Sequence, residues 1–164
     1  MNRYLYAIVT FCLLLYASGT VAQERRFGLG VILGEPTGIS GKLWVSPLTA
    51  IDMGLGWSFW GDRLGDDGVE YSGDSRIHLH MDYLWHWFDA IHSTERFPLY
   101  TGIGGRINAG GGDNSTVAVR GVLGIAWLPH QTPIDVFLEL VPSLQVVPST
   151  GFGIDAGLGI RYFF

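Results

Sequence analysis

Phe152-Gly153-Ile154-Asp155-Ala156-Gly157-Leu158-Gly159-Ile160-Arg161-Tyr162-Phe163-Phe164 closes the chain. Every second residue is apolar: Phe152, Ile154, Ala156, Leu158, Ile160, Tyr162 and Phe164. Between them stand Gly153, Asp155, Gly157, Gly159, Arg161 and Phe163. A period of two belongs to a strand, whose side chains alternate between faces. One apolar face with aromatic tips, backed by glycine and charge, has the polarity of a strand that turns its apolar side to lipid and its polar side to a narrow lumen.

The rule repeats along the chain. Turn residues separate alternating segments at 27–34, 38–45, 49–60, 76–87, 97–109, 115–128 and 134–147, with 152–164 as the eighth. In 49–60, Ile51, Met53, Leu55, Trp57 and Phe59 oppose Asp52, Gly54, Gly56 and Ser58. In 76–87, Ile77, Leu79, Met81, Tyr83, Trp85 and Trp87 oppose Arg76, His78, His80, Asp82, Leu84 and His86. Short turns are expected at 35–37, 46–48 and 129–133, and loops at 61–75 and 110–114. The connection 88–96 is long enough for a helical turn. Pro142 is expected to bend its strand, because it cannot donate to the ladder. The expected fold is all-β: an eight-stranded antiparallel transmembrane β-barrel, an up-and-down meander, with an even strand number and mostly spanning strand lengths.

Charge fixes which face points inward. Lys42, Asp52, His78, His80, Asp82, Arg106, Arg120, Asp135, Glu139, Asp155 and Arg161 share the face opposite the apolar residues. A one-residue slip would reverse every face. Lipid-facing Lys or Arg costs about 2–4 kcal/mol each near mid-bilayer, so the four bases alone would exceed an ordinary stability margin. A water-soluble barrel would need the reverse arrangement, apolar inside and polar outside.

The start of the chain reads as a leader. Arg3 is followed by an apolar run from Tyr4 to Tyr16 and by small residues to Ala22. This is secretory-signal patterning, and the run is too short to span a bilayer as a helix. Residues 1–22 are expected to be removed, with cleavage after Gly19 as the alternative, leaving a barrel domain at 23–164. The lone cysteine, Cys12, lies in the leader, so the remaining chain offers no disulfide, thiol nucleophile or thiolate metal site. Loss of Arg3 moves the formal net charge from −5 to −6. That balance argues against a nucleic-acid partner.

Export through this route places both termini of an even-stranded barrel on the periplasmic side of a bacterial outer membrane. Phe27, Trp85, Trp87, Trp127, Tyr162 and Phe164 then gather at the periplasmic rim, and Phe59 and Phe152 mark the outer rim. Such barrels carry aromatic girdles at both interfaces.

With these residues in place, two resemblances stand out. Phe164, with Tyr162 and Ile160 behind it, resembles the carboxy-terminal signature by which the barrel-assembly machinery recognises outer-membrane barrels. Residues 27–38 (FGLGVILGEPTG), 52–59 (DMGLGWSF) and 147–152 (VPSTGF), with His80, Tyr83, Leu84, Trp85 and His86, resemble the DUF3996 type of small, functionally uncharacterised outer-membrane β-barrels. The resemblance spans nearly the whole chain after the leader. It implies an eight-stranded barrel and carries no catalytic residues.

Several chemistries compete for these residues. The inward charges either plug the lumen as a paired network or line an ion path; an eight-strand barrel is filled by its own side chains, which favours the plug. His78, His80 and Asp82 share a face and are the candidates for a metal, although such residues are more often hydrogen-bonded lumen groups. Asp62, Asp66, Asp67, Glu70 and Asp74 could offer oxygens to calcium, but their spacing matches no EF-hand and reads as a solvated loop. The 61–75 loop is the candidate surface for an extracellular partner. Gly-x-Ser-x-Gly and phosphate-binding glycine motifs are absent. The sequence therefore points to a non-enzymatic barrel without cofactor, embedded in outer-membrane lipid, in a structural or surface-interaction role. A lipid-modifying barrel enzyme using His86 or Ser58 is the runner-up, and a narrow pore is third.

Overall fold

The computed structural model describes residues 25–58, 76–110 and 115–164. Eight strands follow one another: β1 (Phe27–Gly34), β2 (Thr37–Trp44), β3 (Thr49–Ser58), β4 (Arg76–Trp87), β5 (Leu99–Ala109), β6 (Thr116–Trp127), β7 (Ile134–Val147) and β8 (Gly151–Phe163). Each pairs antiparallel with its neighbours, and β1 pairs with β8, so the meander closes into a barrel. The seam extends to the end of the chain, where the Phe164 amide donates to the Phe27 carbonyl at 2.9 Å. The expected leader (1–22), Phe59 and the 61–75 loop lie outside the described residues.

The register sets the barrel's shape. From Gly28 one row runs through Lys42, Asp52, Asp82, Gly104, Arg120, Ser143 and Gly153. Because Gly157 lies opposite Gly34, Gly153 falls level with position 38, and the row returns ten residues further along β1. With strand spacing near 4.8 Å and a rise near 3.3 Å, that stagger corresponds to a tilt of about 40° and a backbone radius of about 8 Å. A cylinder so narrow has room inside for side chains and little else.

Glycine makes that room. Directly across from bulky inward side chains stand glycines: Gly54 opposite His80, Gly104 opposite Asp82, Gly124 opposite Tyr100 and Gly159 opposite Phe137. Each ring or carboxylate leans over its glycine partner, and a methyl group there would collide with it. Across the β1–β8 seam Gly28 does the same for Phe163, whose ring lies 2.8 Å from where a methyl would sit. Gly34 serves the turn instead. Its φ of +126° directs the chain into β2, with Thr37 Oγ1 donating to the Gly34 carbonyl at 2.9 Å.

The strand boundaries match the alternating segments to within two residues, apart from the end of 49–60, which passes into undescribed residues. One expectation is corrected. The described connection between β4 and β5 contains turns and bends and no helical turn. It is tied down by the Arg96–Leu128 bridge and by Phe88, which folds back towards Trp44 and His86. These contacts reach sideways to neighbouring strand ends. In β7 the pairing with β6 shifts at the Val117/Ala118 step and is interrupted around Pro142, whose ring nitrogen has no hydrogen to give.

Candidate functional site

Polarity is inverted relative to a water-soluble domain. The buried set includes every inward charge expected from the sequence: Lys42, Asp52, His78, His80, Asp82, Arg106, Arg120, Asp135, Glu139, Asp155 and Arg161, none above 7% exposed. The exposed set is aliphatic and aromatic, including Val31, Ile39, Leu55, Met81, Ile103, Leu123, Leu138, Leu158 and Ile160. Antiparallel alternation generates both sets from one rule, since every strand sends its odd and even positions to opposite sides.

Arg161, late in β8, is the centre of one cluster. Its Nη2 donates to both Asp52 oxygens at 2.7 and 2.8 Å, Nη1 donates to Asp135 at 3.2 Å, and Nε donates to Ser40 Oγ at 2.9 Å. The guanidinium lies over the Phe137 ring, 3.7 Å from its centroid. Lys42 shares Asp135 at 3.2 Å and sits between the Trp44 and Tyr100 rings, 4.8 and 5.1 Å from their centroids. Tyr100 donates its hydroxyl to Glu139 at 2.8 Å. Only a planar, five-donor cation can serve two carboxylates, a hydroxyl and an aromatic face together.

The second cluster lies towards the end of the barrel that carries the 61–75 and 110–114 connections. Arg120 Nε is 3.2 Å from Asp82, and its Nη1 is 3.4 Å from His78 Nε2. His78 Nε2 and His80 Nδ1 share a hydrogen bond at 2.9 Å. Arg106 pairs with Asp155. The metal candidates His78, His80 and Asp82 are thus brought into one cluster, but the histidines are bonded to each other and a guanidinium occupies the space beside them and Asp82. Among the described residues no group of three or more His, Cys, Asp or Glu gathers as a ligand set.

The rim aromatics also take their places. Phe27 opens β1, Trp87 closes β4, Trp127 closes β6, and Tyr162 and Phe164 close the chain, so all lie at the end of the barrel that holds both ends of the strand series. They are 39–67% exposed, as is Trp85 at 43%. Tyr162 packs edge-on to Phe164, with centroids 5.1 Å apart, and Tyr83 does so against Trp85 at 4.9 Å. Phe152, 67% exposed, stands at the opposite end. Phe59 and the calcium candidates Asp62, Asp66, Asp67, Glu70 and Asp74 lie outside the described residues, as does the side chain of Ser58. His86 is 3% exposed, enclosed by Trp44, Phe88 and Tyr100. No serine hydroxyl is bonded to it among the described residues.

Ser40, Tyr100, Phe137 and Trp44 are the members of the network that charge alone does not reveal. Their signal is parity: each stands at an inward position between charged ones. What parity does not give is register, and the contacts across the lumen depend on it. No protein-family model matches the chain, and no curated protein matches it significantly.

Proposed function

We propose that this protein is an integral β-barrel of a bacterial outer membrane, with both termini periplasmic, a lumen closed by its own ion pairs, and a structural or surface-interaction role without catalysis. The observation that carries this reading is the inverted polarity: four cations and five carboxylates inside, and an almost unbroken aliphatic wall outside. Monomeric soluble proteins rarely expose apolar patches beyond a few hundred Å². Lipid is the solvent that removes the cost of such a wall, and a closed barrel is the β-structure that satisfies its backbone there.

Dimensions support the same reading. Tilted by about 40°, a strand climbs about 2.5 Å per residue, so the twelve residues of β4 rise about 30 Å, comparable with the roughly 25 Å apolar band of such barrels. The aromatic residues at the two ends suit its interfaces.

The plugged lumen distinguishes this proposal from a pore. Arg161, Lys42, Asp52 and Asp135 cross the barrel with 2.7–3.2 Å contacts, and opening a path would strand charges in a dry interior. The expected planar-bilayer result is no steady current; a reproducible single-channel conductance would overturn the plug. For the interaction role, the 61–75 loop is the proposed contact surface. Cells displaying the full protein should capture a partner that cells displaying a 61–75 deletion do not, and equal capture profiles would exclude this loop.

A further inference from the structure

The barrel wall has one low side. β4, β6, β7 and β8 run to 12, 12, 14 and 13 residues, whereas β1 and β2 run to 8 each. β1 and β8 are level where Phe164 meets Phe27, so the shortfall of β1 falls at the opposite end. There β1 leaves β8 after the Gly34–Gly157 pair and a last bond from the Glu35 amide to the Ala156 carbonyl at 2.9 Å. β8 continues to Gly151, paired on its other side with β7 throughout. At a climb of about 2.5 Å per residue, it stands about 12 Å above the β1–β2 hairpin.

Strand polarity says which groups this leaves open. In an antiparallel strand the N–H and C=O of one residue point to the same side, and successive residues alternate. Phe164 and Ala156 bond to β1 and the turn after it, while the Phe163 amide donates to Pro133 on the β7 side. The even positions of β8 therefore face β1 and the odd ones face β7. The β7 register is unbroken from Tyr162 to Gly151, so Ile154 and Phe152 keep that parity. Their two N–H and two C=O groups face the gap above the hairpin, and no backbone hydrogen bond reaches them from that side among the described residues. Both side chains point outward, 59% and 67% exposed. Edges are commonly blunted by lysine, proline or a bulge, and residues 151–155 have none of these. Their one charge, Asp155, faces the lumen and pairs with Arg106.

We propose that this edge is a docking site for an extended segment of another protein, which adds to β8 as an antiparallel strand in the place β1 vacates beyond Gly34. An unpaired row of donors and acceptors is a template for such pairing, in which main-chain bonds give affinity and alternate side chains give specificity. Ile154 and Phe152 offer four bonds, and the residues directly opposite them project to the same outer face. The segment recognised is therefore apolar at alternate positions, beside Ile154 and Phe152, with a small or polar residue between them opposite Gly153. A second copy of this chain does not fit. Antiparallel pairing of two β8 edges needs a two-fold axis perpendicular to the sheet, which inverts one barrel in the bilayer. Parallel pairing joins the outer face of one barrel to the lumen face of the other. Ten residues above Phe164, Ile154 stands at the outer border of a roughly 25 Å apolar band, within reach of a segment approaching from water. That this water lies outside the cell rests on the orientation proposed above; the pairing itself does not.

The test uses the folded full-length barrel in lipid nanodiscs and a fluorescent peptide probe of sequence TVSVTVK. Two further probes carry backbone N-methyl groups, one at the valines and one at the residues between them. Valine amides face β8 in the proposed pairing and the intervening amides face away. Methylation at the valines should weaken binding at least tenfold, and methylation between them should change it by less than about threefold. Anisotropy measures affinity, and amide hydrogen exchange reports place. Exchange at Phe152 and Ile154 should slow at least tenfold in saturating peptide, with no change at Ile160, which is already paired with β1. Ile154→Pro removes the N–H and puts a ring into the gap without touching the bonds to β7, because proline is tolerated where the N–H faces off the sheet. It should bind at least tenfold more weakly, with heat-modifiable electrophoretic mobility checking that it folds, whereas Ile154→Val should bind as the parent does. Deletion of 61–75 should leave the affinity unchanged, which separates this surface from the loop. Equal binding of the three peptides, undiminished binding by folded Ile154→Pro, protection elsewhere than at Phe152 and Ile154, or no saturable binding up to about 1 mM would each overturn the proposal. So would tighter binding after the 61–75 deletion, which would give the edge to that loop, or peptide-free dimers that Ile154→Pro dissolves, which would give it to a second copy.

Discussion

Removing Arg161 should cost more than removing any exposed side chain. In Arg161→Met the aliphatic stem is kept while four hydrogen bonds and the stack on Phe137 are lost. Asp135 retains Lys42 at 3.2 Å. Asp52 retains only the Met53 amide, at 3.1 Å, among its described partners. The penalty is therefore mainly that of a stranded buried carboxylate, about 3–5 kcal/mol. The lost cation–π contact adds about 1 kcal/mol. With a urea slope of about 2 kcal/mol/M, a loss of about 4 kcal/mol moves the unfolding midpoint down by about 2 M. The assay is urea unfolding in phospholipid vesicles, followed by tryptophan fluorescence and heat-modifiable electrophoretic mobility. Adding Asp52→Asn removes the stranded charge, so the double variant should recover about 2 kcal/mol or more relative to additivity. A midpoint shift below about 0.3 M for Arg161→Met, or strict additivity in the cycle, would refute the paired-plug reasoning.

The glycine opposite each bulky inward group gives a sharper contrast. Gly124→Ala drives a methyl into the Tyr100 ring and should cost about 1–3 kcal/mol through overpacking, whereas Gly151→Ala, with nothing within 4 Å of its new carbon, should be close to neutral by the same unfolding assay. On the outer wall, Met81→Arg should lose about 2–4 kcal/mol in vesicles, because Met81 is 58% exposed midway along β4. In the 45–48 turn, Leu48→Arg should lose about 1 kcal/mol or less, and equal costs at the two positions would contradict a lipid-facing wall. Lys42→Met should leave Arg161 as the only described cation on Asp135 and cost about 2 kcal/mol, the scale of one hydrogen bond between charged groups, less than Arg161→Met because Asp135 keeps a cation.

The strands were legible in the sequence because lumen and wall demand opposite chemistries at successive positions. Val117, Val119 and Leu123 alternate with Ala118, Arg120 and Val122, and no helical period fits that run. The membership of the interior was legible for the same reason, down to each of the eleven charged or histidine residues assigned to it. Pairing was not. Arg161 meets Asp52, 109 residues earlier, and Ser40, 121 residues earlier. Those meetings follow from the ten-residue stagger, which exists only once every register is fixed. The glycine–aromatic oppositions were hidden likewise: Gly124 and Tyr100 carry no mark of each other until β5 and β6 are aligned. The 88–96 connection, long enough for a helical turn, forms turns and bends instead, and its described contacts run to Trp44, His86 and Leu128.

The central claim is that the apolar wall faces lipid, and a spin-label scan of β6 tests it directly. Cys12, in the expected leader, is the chain's only cysteine, so single cysteines at positions 117, 118, 119, 123 and 126 of the leaderless protein label cleanly. Val117, Val119 and Leu123 are 40–50% exposed, while Ala118 and Ala126 are at most 2% exposed. In reconstituted vesicles, oxygen collision rates should alternate with a period of two, high at 117, 119 and 123 and low at 118 and 126. A water-soluble nickel chelate should be excluded from the oxygen-accessible positions. Free access of the nickel chelate to 117, 119 and 123 would place that wall in water and contradict the account.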